Sequence, residues 1–314
     1  MNKLGIDLGT STVKLVLTGS GAPEVWCAPH HGRVAQTLLD GLRSLNLPEK
    51  TAVCVTGGNR HAVLALCPQF AQMEDIPAIV SGVRTLAPSA GSVIEIGSQS
   101  ARFITELHGK APRFSVNEHC AGGTGSFFED QMSRLGLQIE DYSKLVAQAR
   151  EIPNLSGRCA VFAKTDIIHR QQEGVPKQDI LLGLCYAMIR NYKATIVKNL
   201  PVEKPVAFCG GVMLNSGVIR AIRDIFGLQE NELIVPENAR FAAAVGAAQG
   251  AEQEMATETL LSALAQGEVR RTQEISLPPL TLDKGTDLSE PSCTQVMPED
   301  GAFIGIDIGS TSTD

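Results

Sequence analysis

The sequence predicts an α/β fold of two similar lobes, each a mixed sheet with flanking helices. Two strand–turn–strand units carry this prediction: residues 3–18, which contain "GIDLGTSTVK", and residues 92–107, "SVIEIGSQSARFITEL". Alternating apolar residues around a Gly/Ser/Thr turn are typical of β-hairpins. Each hairpin has an acidic residue on its first strand, Asp7 and Glu95, 88 positions apart. The repetition favours two lobes that present similar loops to one ligand from opposite sides.

Periodicity predicts the remaining elements. Strands are expected over 3–8, 12–18, 52–56 and 205–209, and helices over 34–45, 125–149, 159–172, 178–199, 214–226 and 240–265. Residues 267–300 carry four prolines among Thr, Ser, Asp and Glu, which is linker composition. We therefore expect one domain over 1–265, with its second lobe from about residue 90, and a linker over 266–300.

The last residues resemble the first. Residues 305–314, "GIDIGSTSTD", align with residues 5–14 at a constant offset of 300. Their position beyond a linker favours a tandem repeat, in which 301–314 begin a second, truncated domain without function of its own. The alternative is a terminal strand that merely resembles the first. On the tandem interpretation the native protein extends past residue 314.

Composition excludes several classes of protein. Hydrophobic residues make up 43 % and charged residues 19 %, which is ordinary for a globular protein. A net charge of −7 argues against a nucleic-acid partner, since such binders need a basic face. No apolar run approaches the roughly 18 residues of a membrane span, and no leader is evident, so a cytoplasmic protein is expected. The eight cysteines include no C-x-x-C pair and are expected to be free thiols.

The first hairpin has the chemistry of a phosphate site. Its turn offers hydroxyl and amide donors, and the carboxylate of Asp7 is placed to hold the water shell of a Mg²⁺ ion. The candidate phosphate-binding residues are Gly9, Thr10, Ser11, Thr12 and Lys14. The alternative is a hairpin with a solvated polar turn.

The second hairpin and a third glycine-rich element extend the candidate site. The second turn contributes Gly97 and Ser98 beside Glu95. The third element, "VAFCGGVMLN", joins a buried strand to a helix through a turn where the backbone can approach a bulky ligand closely. Its candidate binding residues are Gly210, Gly211 and Asn215.

In this order, the three elements and the Ala-rich "RFAAAVGAAQGA" resemble the sugar kinase–Hsp70–actin ATPase superfamily, with ribonuclease H-like lobes and ATP between them. Two further segments, "NEHCAGGTGSFFEDQM" and "SGRCAVFAKTDIIH", resemble one branch closely: the ATP-dependent activators of 2-hydroxyacyl-CoA dehydratases and benzoyl-CoA reductases. The resemblance covers roughly residues 3–250. Its most specific parts are the two cysteine boxes, at 120–127 and 159–163.

The resemblance implies an ATPase coupled to electron transfer. In that family each subunit of a homodimer contributes two cysteines to one 4Fe–4S cluster, with the cluster-bearing helices inserted in the second lobe. By position the ligands here are Cys120 and Cys159, each near the start of a predicted helix, where the helix dipole favours an anionic centre. The alternative for Cys120 is an ordinary thiol at a helix start. The implied partners are a second copy or a tandem domain, and a dehydratase or reductase-type iron–sulfur enzyme.

The resemblance also implies roles within the ATP site. Asp7 organises Mg²⁺, the first turn holds phosphates, Gly210 and Gly211 flank adenosine, and Gln99 is the candidate for orienting the attacking water. The sequence departs from the family pattern of Asp followed by Gly-Gly-Gln-Asp. Here the residues are Glu95, Ser98 and Ser100, so a reduced hydrolysis rate is expected.

Two other functions stay open at this point. One is a small-molecule kinase of the same superfamily, and the other is a nucleotide-binding regulatory lobe with weak ATPase activity. His30 with His31, and Asp166 with His169, are weaker candidates for metal ligation, because neither pair has an evident third ligand.

Overall fold

A computed structural model describes residues 1–117, 124–157 and 160–271, and the side chains of these residues except 160–162 and 266–271. The strands are β1 (Lys3–Leu8), β2 (Thr12–Thr18), β3 (Glu24–Pro29), β4 (Lys50–Thr56), β5 (Ala71–Gln72), β6 (Ser92–Ile96), β7 (Ala101–Thr105), β8 (Arg113–Val116), β9 (Val206–Cys209), β10 (Leu233–Ile234) and β11 (Glu254–Ala256). The α-helices are α1 (Val34–Ser44), α2 (Arg60–Leu64), α3 (Asp75–Leu86), α4 (Gly125–Arg134), α5 (Tyr142–Val146), α6 (Ala160–Gln172), α7 (Lys177–Tyr192), α8 (Ser216–Phe226), α9 (Ala242–Gln249) and α10 (Thr257–Arg271).

The strands form two sheets with the same internal pattern. The first has the order β11-β4-β1-β2-β3, with β5 beside β4, and the second has the order β10-β9-β6-β7-β8. In each sheet three consecutive strands form an antiparallel meander, and the next long strand pairs in parallel with the first of them. The predicted pair of similar α/β lobes is confirmed.

The first hairpin has the strand boundaries that its alternation predicts, and the second lies within the predicted unit 92–107. In the first, residues 4–8 of β1 are buried and β1 pairs with β2 so that Asp7 lies opposite Lys14. In the second, β6 is buried throughout and pairs with β7 so that Glu95 lies opposite Arg102. Each register places an acidic and a basic side chain side by side at the end of the hairpin.

Two helices pack between the lobes. α9 lies against β1 of the first sheet, and α3 packs against α9 while its apolar residues Ile79 and Val83 join the core of the second lobe. The contact is close because a Cβ at Gly246 would lie 1.8 Å from the carbonyl oxygen of Ala78. The Ala-rich segment around Gly246 therefore allows close helix packing.

Two predicted helices are interrupted. The helix predicted over 125–149 ends at Arg134, because Gly136 adopts a left-handed φ of 66°, and a 3₁₀ turn and α5 follow. The helix predicted over 240–265 is wrong in its middle: α9 ends at Gln249, and β11 precedes α10. β11 pairs with the edge of β4, so the backbone groups of residues 254–256 form hydrogen bonds with that strand. The apolar pattern of the segment does not indicate this pairing, because it contains no information about the free edge of β4.

The chain thus returns to the first lobe after completing the second. α10 packs against α1 and buries Leu260 and Leu264 in the first core. It runs to Arg271, and residues 272–314 lie outside the described residues, so the predicted linker and second domain stay predictions. Within the ranges described, no helix has both the length and the apolar character needed to cross a membrane.

Candidate functional site

A cavity of about 640 Å³ lies between the turns of the two hairpins and the glycine-rich element after β9. Pockets for small molecules and cofactors typically measure roughly 300–1,000 Å³. The cavity brings together most of the predicted site residues: Asp7, Gly9, Thr10, Ser11, Thr12, Lys14, Glu95, Gly97, Ser98, Gly210, Gly211 and Asn215. Gln99 is exposed and is not among the lining residues.

At the first hairpin a buried ion pair faces the cavity. Lys14 Nζ lies 2.9 Å from Asp7 Oδ2, and both side chains are more than four-fifths buried. Burial lowers the pKa of Lys14, but the charge of Asp7 and the hydrogen bond to it raise that pKa, and the net direction is upward. The lysine is therefore a fixed positive charge at the mouth of the phosphate turn.

The turn itself is held by residues that the sequence did not assign to it. The carbonyl oxygen of Gly9 accepts hydrogen bonds from Asn59 Nδ2 at 2.7 Å and from His30 Nε2 at 3.2 Å. His30 Nδ1 accepts a hydrogen bond from the amide of Gly32, so Nε2 carries the proton. The backbone amide of His30 donates to the carbonyl oxygen of Ser11. His30 is buried and supports the phosphate turn, which its sequence position beside His31 did not indicate.

The metal alternatives gain no support. Asp166 Oδ2 accepts a hydrogen bond from the Ser156 amide, and His169 pairs with Glu173 on the surface of α6. Among the described residues, no group of three or more His, Cys, Asp or Glu side chains is arranged to hold a metal ion.

The second hairpin contacts the first directly. Ser11 Oγ donates to Ser98 Oγ at 2.7 Å, which joins the two phosphate turns in this structure. Glu95 Oε2 accepts from Arg102 at 2.8 Å. Burial raises the pKa of Glu95 above its usual range, and the positive charges of Arg102 and Lys14 oppose that shift without reversing it.

Arg102 and Asp75 are the main site residues that the sequence interpretation missed. Besides Glu95, the Arg102 guanidinium donates to Asp75 at the start of α3, and Asp75 Oδ1 accepts from the amide of Gly57 at 3.1 Å. The sequence did contain a signal for Arg102: it follows Lys14 by 88 positions, which is the same offset that separates Glu95 from Asp7. The duplicated hairpins therefore carry equivalent acid–base pairs.

Helix α4 begins on the second phosphate turn. The amides of Gly125 and Ser126 donate to the carbonyl oxygens of Gly97 and Ser98, each at 2.8 Å. The first turn of a helix has backbone N–H groups without partners in the helix, and here the loop carbonyls satisfy two of them. A shift of the second phosphate turn therefore acts directly on the start of α4.

The predicted cluster ligands precede helices that touch. Cys120 and Cys159 lie outside the described residues, five residues before α4 begins and one residue before α6 begins. α4 and α6 are in contact.

The glycine-rich element forms the far wall of the cavity. Gly210 has a φ of 91°, and a Cβ there would lie 2.3 Å from the carbonyl oxygen of Ile96, so only glycine fits. Asn215 caps α8 by accepting hydrogen bonds from the amides of Gly217 and Val218. Apolar and polar side chains surround this end: Phe128, Ile139, Glu140, Tyr142, Ser143 and Leu214.

Two duplicated lobes around a cleft lined by polar turns define a two-lobed nucleotide-dependent ATPase or phosphotransferase of the actin-like kind. The chain belongs to the BadF/BadG/BcrA/BcrD ATPase family, whose sequence profile matches residues 4–251. The expected superfamily and branch are thereby confirmed.

Named relatives lie in the same branch. The chain is 28 % identical over 253 residues to the activator of lactoyl-CoA dehydratase from Anaerotignum propionicum, covering 79 % of this chain and 96 % of that protein. Component A of (R)-2-hydroxyglutaryl-CoA dehydratase from Acidaminococcus fermentans has the same fold, with a TM-score of 0.71 and 24 % identity over 83 % of this chain and 99 % of that one. The activator of 2-hydroxyisocaproyl-CoA dehydratase from Clostridium difficile, solved with bound ADPNP, also has this fold, with a TM-score of 0.69 and 22 % identity. The match covers 88 % of this chain and 100 % of that one.

Proposed function

We propose that this protein is an ATP-dependent electron-transfer activator of a 2-hydroxyacyl-CoA dehydratase or a related reductase. It binds Mg²⁺ and ATP in the cleft, and Cys120 and Cys159 ligate a 4Fe–4S cluster shared with a second copy or a tandem domain. Family membership and the names of the relatives support this function. The observation that carries it is the pair of hydrogen bonds from α4, which begins five residues after Cys120, to Gly97 and Ser98 in the cleft.

The cleft residues fit magnesium and a nucleoside triphosphate. The first turn offers the hydroxyls of Thr10, Ser11 and Thr12, and the cavity is of nucleotide size. Asp7 would hold the water shell of Mg²⁺, and Lys14, now paired with Asp7, would then share its charge with the phosphates. The backbone at Gly210 and Gly211 would lie against adenosine, with Asn215 fixing the helix start behind them.

Hydrolysis requires that water be oriented toward the terminal phosphate. Glu95 presents its carboxylate to the cleft, and in this interpretation it accepts a hydrogen bond from that water or from a water on Mg²⁺. Gln99 would orient the same water only after the second turn moves, since its side chain does not line the cleft in this structure. Ser100 stands where the family pattern has an aspartate and carries no negative charge, which favours slow ATP hydrolysis.

Coupling between the two sites would pass through the second phosphate turn. Ser11 and Ser98 would bind a nucleotide phosphate in place of their direct hydrogen bond, and the second turn, to which α4 is attached, would then move. The cluster supplies one-electron transfer at low potential. Cys120 and Cys159 are two ligands, so a second pair must come from another domain to complete the usual four thiolates.

The test is anaerobic purification followed by iron analysis. We expect a brown protein with absorbance near roughly 400 nm and about four iron atoms per two cysteine-box domains. Cys120→Ser should remove both signals, whereas Cys293→Ser, in the predicted linker, should leave them intact. An iron-free, colourless anaerobic preparation, or ADP release that depends on a sugar, would contradict the proposal.

A further inference from the structure

The basic residue of the second hairpin makes contacts that its counterpart in the first hairpin does not make. Lys14 pairs with Asp7 alone among the described acids, whereas Arg102 contacts both Glu95, on the neighbouring strand, and Asp75, at the start of α3. All the side chains of the three-residue group are largely buried, with exposed fractions of 16 % for Arg102, 12 % for Glu95 and 26 % for Asp75. A buried charge left without its partner is costly, so this arrangement is held firmly.

The guanidinium is shared between its two carboxylates in a defined way. Nη1 donates to Glu95 Oε2 at 2.8 Å and to Ser100 Oγ at 3.0 Å, and Nη2 donates to Asp75 Oδ2. Among the described residues no donor contacts Glu95 Oε1, and Glu95 lines the nucleotide cavity. One oxygen of Glu95 is thus fixed by Arg102, which leaves the other for a group in the cleft.

Asp75 ties this arrangement to the first sheet. Its Oδ1 accepts a hydrogen bond from the amide of Gly57, which directly follows β4, and its Oδ2 accepts from Arg102 on β7. Asp75 therefore connects the end of a first-lobe strand with a second-lobe strand. The position of Glu95 consequently depends on both lobes through a single arginine.

Asp75 and Arg102 also separate two cavities. Together with Ser100 they line the nucleotide cleft on one side and an open groove of about 1,240 Å³ on the other, between α3 and β8. Loss of the Arg102 side chain would therefore join the cleft to the groove behind Glu95 as well as releasing that carboxylate.

We propose that Arg102 is the positioning residue of the ATPase site: it orients Glu95 toward the nucleotide and closes the wall behind it, with Asp75 as its anchor on the first lobe. The proposal rests on the ATP hydrolysis that belongs to the proposed function. Arg102 acts through Glu95 and does not itself contact ATP. Displacing a catalytic group by about 1 Å costs up to roughly 100-fold in rate while leaving binding largely in place.

The experiment compares steady-state ATP hydrolysis with nucleotide affinity, measured with a fluorescent ADP analogue, in the full chain. We expect Arg102→Met to lower kcat by about 10- to 100-fold and to change the dissociation constant by less than about threefold. Arg102→Lys, which keeps the charge but cannot bridge both carboxylates in the same geometry, should recover part of the rate. Asp75→Asn should also lower kcat and leave the dissociation constant largely unchanged.

The matched control is Arg113→Met on the neighbouring strand β8, where Arg113 forms an exposed ion pair with Glu106. It should leave kcat unchanged. The proposal is overturned if Arg102→Met keeps at least a third of the parent kcat. It is also overturned if Arg102→Met loses as much nucleotide affinity as kcat and Arg102→Lys recovers neither. The proposed role of Arg102 concerns hydrolysis alone, so an iron-free protein with this kcat pattern would refute the electron-transfer function and leave the role of Arg102 standing.

Discussion

Replacing Lys14 by methionine tests whether the phosphate turn depends on its buried ion pair. The pair is 2.9 Å long, with exposed fractions of 14 % for Lys14 and 11 % for Asp7. Removing one partner of a buried pair typically destabilises a protein by about 3–5 kcal/mol, because the other charge is left without compensation. Both side chains line a cleft open to water, so we expect a loss of about 2–3 kcal/mol for Lys14→Met.

The assay is urea unfolding of Asp7→Asn, Lys14→Met and the double variant, with the free energy of unfolding compared in a double-mutant cycle. We expect a coupling free energy of about 1–2 kcal/mol, because the double variant leaves no unpaired charge. The control is Lys144→Met, whose partner Asp141 lies 3.8 Å away on the surface, and which should cost less than about 0.5 kcal/mol. Single effects that add to within about 0.3 kcal/mol would refute the reasoning.

Three further predictions concern the helix contact at Gly246, the support of the first turn by His30, and the pH dependence of the Lys14–Asp7 pair. Gly246→Ala should destabilise the protein by about 2 kcal/mol or more in urea unfolding, since the new Cβ would lie 1.8 Å from the Ala78 carbonyl oxygen, whereas Gly21→Ala, with no atom within 4 Å, should be neutral. His30→Ala should weaken ATP binding by about tenfold in calorimetry, and His30→Gln, which retains a donor for Gly9, should recover part of it; equal losses would contradict this role. Because the pKa of Lys14 is raised in the folded state, its stabilising contribution is complete below pH 10.5 and is lost only as the pH rises through the folded value, so the coupling free energy should be equal at about pH 7 and pH 9.

The hairpins were predictable from sequence because their signals are local. A period of two and a Gly/Ser/Thr turn fix both strand boundaries and register, which places Asp7 opposite Lys14 without any knowledge of the rest of the fold. The same holds for Gly210, whose position between a buried strand and a helix marks a close backbone approach. Most of the candidate nucleotide site is built from these local units, so most of it could be predicted.

What was missed depends on contacts between distant segments. Asp75 is an ordinary first-turn residue of α3 in sequence, and it becomes part of the site only because α3 lies between the two sheets. His30 supports Gly9 only because the end of β3 lies beside the first turn. β11 forms because β4 has a free edge, and nothing in the Ala-rich pattern of 240–265 indicates that edge.

The central claim is that nucleotide in the cleft controls electron transfer from a cluster held by Cys120 and Cys159. Its most direct test is stopped-flow absorbance near roughly 400 nm, after anaerobic reduction, on mixing with a 2-hydroxyacyl-CoA dehydratase. The account predicts that the reduced cluster is reoxidised rapidly with Mg²⁺ and ATP, and at least about tenfold more slowly with ADP or without nucleotide. Reoxidation at the same rate in all three conditions would contradict it.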